Sequence, residues 1–93
     1  MSLAFEWDTD KAKRNLGKHK VAFEEAATVF EDILSVTFPD PDHSVGENRY
    51  LTIGASRWRR ILVIAHTNRG DRIRIISARK ATRKERIFYE EES

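Results

Sequence analysis

Three polar clusters in this chain have residue types and spacing suited to chemistry. The first is Lys18-His19-Lys20, an imidazole between two ammonium groups. A histidine moves protons near neutral pH, and adjacent cations hold a phosphate. RNA carries its own nucleophile, the 2′-OH. Cleavage through that group needs a base at the hydroxyl, cations around the phosphate and an acid at the leaving oxygen. It calls for no metal and no cofactor. The same histidine would equally serve as a cation closing a helix C-terminus.

Arg79-Lys80, followed by Arg83, is the second cluster. Guanidinium groups fork onto phosphate oxygens, and a helix starting beside them adds free amide donors. Tyr89, two turns further on, is able to stack a base or to donate to a phosphate; it would otherwise belong to the core. The third cluster is Asp40, Asp42, His43 and Glu47. Carboxylates and an imidazole this close suit Mg²⁺ or Mn²⁺. Their spacing matches no defined metal loop, however, and aspartates beside Pro39 and Pro41 are turn formers. No metal site is expected there. Trp58, between Arg57 and Arg59-Arg60, suits base stacking or a protein anchor. His66 lies in an apolar run and reads as structural. Ser77 reads as a strand-end residue. Phosphate-binding and dinucleotide-binding glycine patterns, HExxH and GxSxG are all absent from the sequence.

The charge distribution favours an anionic ligand. Residues 1–56 hold 6 Lys/Arg against 10 Asp/Glu, whereas residues 57–86 hold 11 against 2. The overall net charge of +2 hides that contrast. Such a basic block attracts a polyanion, and the attraction weakens with salt. With 93 residues, 40% hydrophobic and 34% charged, the chain fits one small domain without a large enclosed cavity. Residues 1–3 read as a cloning remnant and 90–93 as a frayed acidic tail. There is no cysteine, so disulfides and thiolate metal sites are excluded. No apolar run approaches the ~18–20 residues that span a bilayer. Glu6 and Asp8 interrupt any signal-peptide pattern. A cytoplasmic protein with no membrane partner is expected.

The elements that must hold these residues are legible in outline. Leu3–Trp7 suits a short strand. Asp8 caps a helix to about Lys18, and Val21–Asp32 reads as a second helix with Phe23, Ala26, Ala27 and Phe30 on its apolar side. Ile33–Phe38 and Arg49–Ile53 suit an antiparallel pair separated by the Pro39–Asp42 loop. Ala55–Arg57 is a turn, Ile61–His66 a central strand, and Asn68–Asp71 a hairpin turn. In Arg72-Ile73-Arg74-Ile75 the isoleucines share one face and the arginines the other. Thr82-Arg83-Lys84-Glu85 is a capping box opening a last helix, Arg83 to about Glu91. The order β-α-α-β-β-β-β-α predicts an α+β domain, a mostly antiparallel sheet packed with helices. Residues 57–86 and the Lys18–Lys20 corner are expected to converge on one basic groove.

The chain also resembles a known family. Phe5-Glu6-Trp7-Asp8, Lys11-Ala12, Asn15 and Lys18-His19 resemble the opening of BrnT-type toxins. Phe23-Glu24-Glu25-Ala26, Val29-Phe30 and Asp32 continue the match. His43, Glu47, Arg49 and Gly54 fall on an H…E-x-R…G pattern, and Arg74–Ala81 with Glu85 and Tyr89 resemble the closing segment. Lys20 stands where that family commonly has glycine. The resemblance implies a RelE-like fold and a ribosome-independent ribonuclease. It also implies an antitoxin partner of the BrnA type, which binds DNA and neutralises the toxin, so that DNA is met only through the antitoxin. Catalysis is then expected of His19, Arg79 and Lys80. RNA contact is expected of Lys18, Lys20, Arg49, Arg72, Arg74, Arg83 and Tyr89. The residues alone leave two other readings open: a non-catalytic nucleic-acid-binding module, and an inactive toxin-fold half of a repressor complex.

Overall fold

The computed structural model describes residues 3–40 and 48–92. Its elements are β1 (Ala4–Glu6), α1 (Thr9–His19), α2 (Phe23–Thr28), β2 (Val36–Pro39), β3 (Arg49–Ala55), β4 (Ile61–Arg69), β5 (Arg72–Lys80) and α3 (Arg83–Glu92). The predicted order therefore holds. The five strands form one sheet in the order β1-β5-β4-β3-β2. Every pairing is antiparallel except β1 with β5, where Phe5 lies opposite Ile73 and Glu6 opposite Arg74.

Local signals account for the helix starts. Asp8 accepts from the amides of Asp10 at 2.8 Å and Lys11 at 3.1 Å. Thr82 and Glu85 form a reciprocal capping box, with amide-to-side-chain bonds of 2.8 and 3.2 Å. α1 ends at Lys20, whose backbone is left-handed at φ 60° and whose amide bonds the Leu16 carbonyl. That conformation suits glycine, which has no Cβ to crowd the chain. The second helix is shorter than its apolar spacing predicts. It gives way to a 3₁₀ turn at Val29–Glu31, and Ile33-Leu34 forms a turn instead of starting a strand. Asp32 holds that turn, accepting from the Leu34 amide on its side chain and from Ser35 on its carbonyl, both at 3.0 Å. α3 continues to Glu92.

The sheet has two differently covered faces. Against α1 and α2 it buries Val21, Phe23, Ala26, Val29, Leu62, Ile64, Ile75 and Ala78. On the other face a smaller cluster, Ile53, Val63 and Tyr89, joins the sheet to α3. A β-bulge divides β5. His66 pairs with Ile75, but Ala65 pairs with Ser77, leaving Ile76 as the extra residue. Such a residue inverts the alternation beyond it. Ile73 and Ile75 therefore face α1 and α2, while Ser77 and Arg79 face the α3 side with Val63 and Ala65. Without the bulge they would point into the larger core.

Two polar centres, buried Asn15 and partly buried Asp32, fix the frame. Asn15 sits beside β5 beyond the end of β1. Its amide nitrogen donates to the Ala78 carbonyl at 2.8 Å and the Val21 carbonyl at 2.9 Å, and its oxygen accepts from the Ala78 amide at 3.1 Å. It thereby completes the free edge of the strand. Asp32 accepts from the Ala55 amide at 2.8 Å and the Tyr89 hydroxyl at 2.5 Å. Gly54 is required beside it, because a Cβ there would lie 2.9 Å from both Ser35 and Val29. Among the described residues no helix is long and apolar enough to cross a membrane.

Candidate functional site

Residues 11, 14, 15, 18 and 19 recur at helical spacing and form one side of α1. That side meets β5 at the bulge. Lys11, Arg14, Asn15, Lys18, His19, Ile76 and Ser77 together line an open cavity of about 330 Å³. Three cations, an imidazole and a hydroxyl thus share a cleft that no carboxylate lines among the described residues. None of Lys11, Arg14, Lys18 and His19 forms an ion pair among the described residues. Asn15, tied to Ala78 and Val21, holds the helix against the strand. Ser77 reaches the cleft because the bulge turns it away from the core.

Arg79 follows Ser77 on the same face, roughly 7 Å further along the strand. Its guanidinium makes two bonds to Glu85, at 2.7 and 2.9 Å. This pair ties β5 to the start of α3 and holds the Glu85 carboxyl down at about 2. Lys80 points the other way. It lines a second cavity of about 300 Å³ with Arg59, Arg60, Ile61, Ala81 and Arg86. At the α1–α2 corner Arg60 Nη2 donates to the carbonyl of Lys20, the residue after His19, at 3.1 Å. Arg60 is itself paired with the buried Glu25. That arginine holds the Glu25 carboxyl below its usual range, with help from the Ser56 hydroxyl at 2.8 Å.

Several expected contacts are arranged differently. Tyr89 is buried and gives its hydroxyl to Asp32, so it presents no ring face to a ligand. The Lys20 ammonium folds back onto the Gly17 carbonyl at 2.9 Å. Arg72 and Arg74 lie at the opposite end of β5, beside β1, and Arg74 is paired with Glu6 at 2.7 Å. Arg49 begins β3, opposite Thr67 and in the row that continues to Arg74. Arg83 is exposed at the first turn of α3 and lines neither cleft. The single groove expected from the charge pattern is therefore two separate clefts, and Lys20, Arg49, Arg72, Arg74, Arg79 and Arg83 line neither. Lys11, Arg14 and Ser77 were not singled out by sequence. The i, i+3, i+7 spacing of Lys11, Arg14 and Lys18 carried a signal for the first two; nothing local revealed Ser77.

His66 is structural, as its apolar neighbours predict. Its ring stands edge-on to Phe30 at 4.9 Å and stacks against Tyr50 at 5.9 Å. Its Nε2 shares a 2.7 Å hydrogen bond with Thr52, which bonds Thr37 at 2.7 Å. Burial pushes its pKa down to about 4. Among the described residues no group of three or more His, Asp or Glu is placed to hold a metal. Of the acidic loop, Asp42, His43 and Glu47 lie outside those residues.

The family model for the ribonuclease toxin BrnT of type II toxin–antitoxin systems matches residues 7–85. The chain belongs to that family. The matched segment contains every residue of both clefts except Arg86. The fold is similar to that of the Brucella abortus ribonuclease toxin BrnT, a 1.1 Å crystal structure, with a TM-score of 0.70 and 25% sequence identity. The similarity covers 88% of this chain and 100% of that one. A search of curated protein sequences returns no match. As a BrnT-family member, the chain is a ribonuclease toxin of a toxin–antitoxin system, with RNA as substrate and an antitoxin as partner.

Proposed function

We propose that this toxin is an endoribonuclease that cleaves RNA by attack of the substrate's own 2′-OH, without a metal. The observation that carries this reading is the α1–β5 cleft, where His19 stands among Lys11, Arg14, Lys18 and Ser77. His19 takes the 2′-OH proton as the O2′–P bond forms and returns it to the O5′ leaving oxygen as the P–O5′ bond breaks. The three cations surround the phosphate, on which negative charge grows in the transition state. The Ser77 hydroxyl donates to a phosphate oxygen from the strand side. Lys80 continues the positive surface, while Arg79, held by Glu85, positions β5 against the start of α3 beside it. Arg49, Arg72, Arg74 and Arg83 add long-range attraction from outside the cleft.

The partner in this reading is a BrnA-type, DNA-binding antitoxin. It neutralises the toxin in the cytoplasm by laying an acidic or amphipathic segment over the clefts. Charge complementarity supplies the physical reason. The deciding experiment is cleavage of end-labelled RNA by the purified chain in excess EDTA. The expected result is cleavage in chelator by the wild type and its loss in His19→Ala. Cleavage that stops in EDTA and returns with Mg²⁺ would overturn the metal-free mechanism. Undiminished cleavage by His19→Ala would move the chemistry elsewhere.

A further inference from the structure

The turn between β3 and β4 has features that the nuclease cleft does not use. Its backbone is held from several sides. The Ser56 amide donates to the Arg60 carbonyl at 2.8 Å, and the Arg59 amide to the Ser56 carbonyl at 2.9 Å. The Arg57 amide donates to the Thr28 hydroxyl at 2.9 Å, and the Arg57 side chain makes two bonds to Glu31. At the tip of this fixed turn Trp58 is 62% exposed. Its neighbour Arg59 has φ 65°, a left-handed conformation that glycine adopts more readily. A bulky apolar ring is thus kept in solvent, and a cation is kept where backbone preference favours glycine. Neither choice serves the core.

Next to Trp58 in the chain, Arg59 and Arg60 line the second cleft, with Lys80 from β5 and Arg86 from α3. Arg60 is neutralised by Glu25. Arg59, Lys80 and Arg86 form no ion pair among the described residues. Among the described residues the lining contains no carboxylate. An anion is favoured in that cleft, and a planar ring is favoured on Trp58. A single-stranded nucleic acid offers both within one nucleotide step, whereas a duplex keeps its bases stacked. An acidic peptide would satisfy the cations but leave the indole without a partner. The Arg60–Lys20 bond places this cleft against the end of the helix that carries His19.

We infer that the Trp58 turn and the Arg59–Lys80–Arg86 cleft form a second RNA-binding subsite, which stacks a base and holds the phosphates of single-stranded substrate beyond the His19 cleft. The subsite rests on the reading of the chain as an RNA-directed protein, but it binds and does not cleave. Its consequence is a preference for RNA long enough to reach both clefts, and for an unpaired nucleotide next to the cleaved one.

The test uses a 2′-O-methyl oligonucleotide, which keeps bases and phosphates but lacks the nucleophile. Binding to the full chain should quench tryptophan emission. The quench should vanish in Trp58→Phe, which leaves only Trp7 to report, while affinity stays within about threefold. Trp58→Ala should weaken binding about 10-fold. Arg59→Gly relieves the left-handed backbone, so it should fold well. It should still bind more weakly and lower the salt dependence by about one ion. Wild-type affinity in both Trp58→Ala and Arg59→Gly would overturn the subsite. So would Trp58 emission that a polyglutamate peptide quenches and the oligonucleotide does not, which would make the surface a protein-docking site. The two proposals fail separately. Binding with Trp58 quenching but no cleavage of ordinary RNA would remove the nuclease mechanism and keep the subsite. Cleavage without Trp58 involvement would do the reverse.

Discussion

His19 and His66 are the same side chain in opposite surroundings. His19 stands at the end of α1 in an open cleft, beside Lys11, Arg14, Lys18 and Ser77. His66 lies in the middle of the sheet between Phe30 and Tyr50, with Thr52 on Nε2 and, among the described residues, no partner on Nδ1. Burial keeps His66 neutral down to about pH 4. The first is surrounded by what a phosphate needs. The second is surrounded by what a charge cannot tolerate. A histidine in a sequence is therefore only an opportunity for proton transfer, and its neighbours in space decide whether it is taken up.

The sharpest test of this contrast is a pair of substitutions. His19→Ala should lower the rate of RNA cleavage by about 10³-fold, as expected for loss of a general acid–base group, with an unchanged unfolding midpoint. His66→Gln should retain cleavage per folded molecule, because it removes no group from the cleft. Rates on one labelled RNA, normalised to the folded fraction from circular dichroism, would reveal any exchange of these roles.

The next effect is in stability against pH. In the folded chain the pKa of His66 is lowered from 6.5 to about 4, so between those values the unfolded chain binds more protons. Stability should be complete above about pH 6.5 and fall toward pH 4, by about 3 kcal/mol. Urea midpoints at pH 7.5 and 4.5 would measure it. His66→Gln should remove most of the slope in that window. The lowered carboxyls of Glu25, Asp32 and Glu85 lose their own contributions only at lower pH. An unchanged slope in His66→Gln would count against the buried neutral ring.

Two smaller effects probe how the His19 side is held. Arg79→Ala should weaken the β5–α3 junction by about 1–2 kcal/mol, since it breaks a two-bond, half-exposed ion pair. It should also slow cleavage less than His19→Ala does. Lys20→Gly should stabilise the domain by about 1 kcal/mol by relieving the left-handed residue at the end of α1. Thermal unfolding measures both. A Lys20→Gly chain that melts earlier would mean that the lysine's bond to Gly17 outweighs the backbone strain.

What sequence disclosed follows the range of the interactions. Asp8 and the Thr82–Glu85 box act within four residues, so both helix starts were legible. The strand Arg72–Ile75 was legible because alternation is a local property. The second helix was read too long because the Phe23–Phe30 apolar spacing also fits a 3₁₀ turn, which Asp32 then closes through its own side chain. The parallel pairing of β1 with β5, between residues some 68 positions apart, left no local trace. Basic residues were readily counted, but their partners were not. Arg74 belongs to Glu6, Arg79 to Glu85 and Arg60 to Glu25, and these pairings decide which cations remain for a ligand. Tyr89 was open to either role by type, and Asp32, far away in sequence, settled it.

The one-residue bulge at Ile76 makes β5 behave as two strands written in different reading frames. Upstream, odd-numbered positions belong to the interior; downstream, even-numbered ones do. A deletion of Ile76 would leave every other side chain chemically intact. It would nevertheless exchange insides for outsides from Ser77 onward, drawing a hydroxyl and a guanidinium into oil and expelling Ala78. In this strand a single added residue, chemically unremarkable in itself, works as the frameshift that turns a structural surface into one that can meet a substrate.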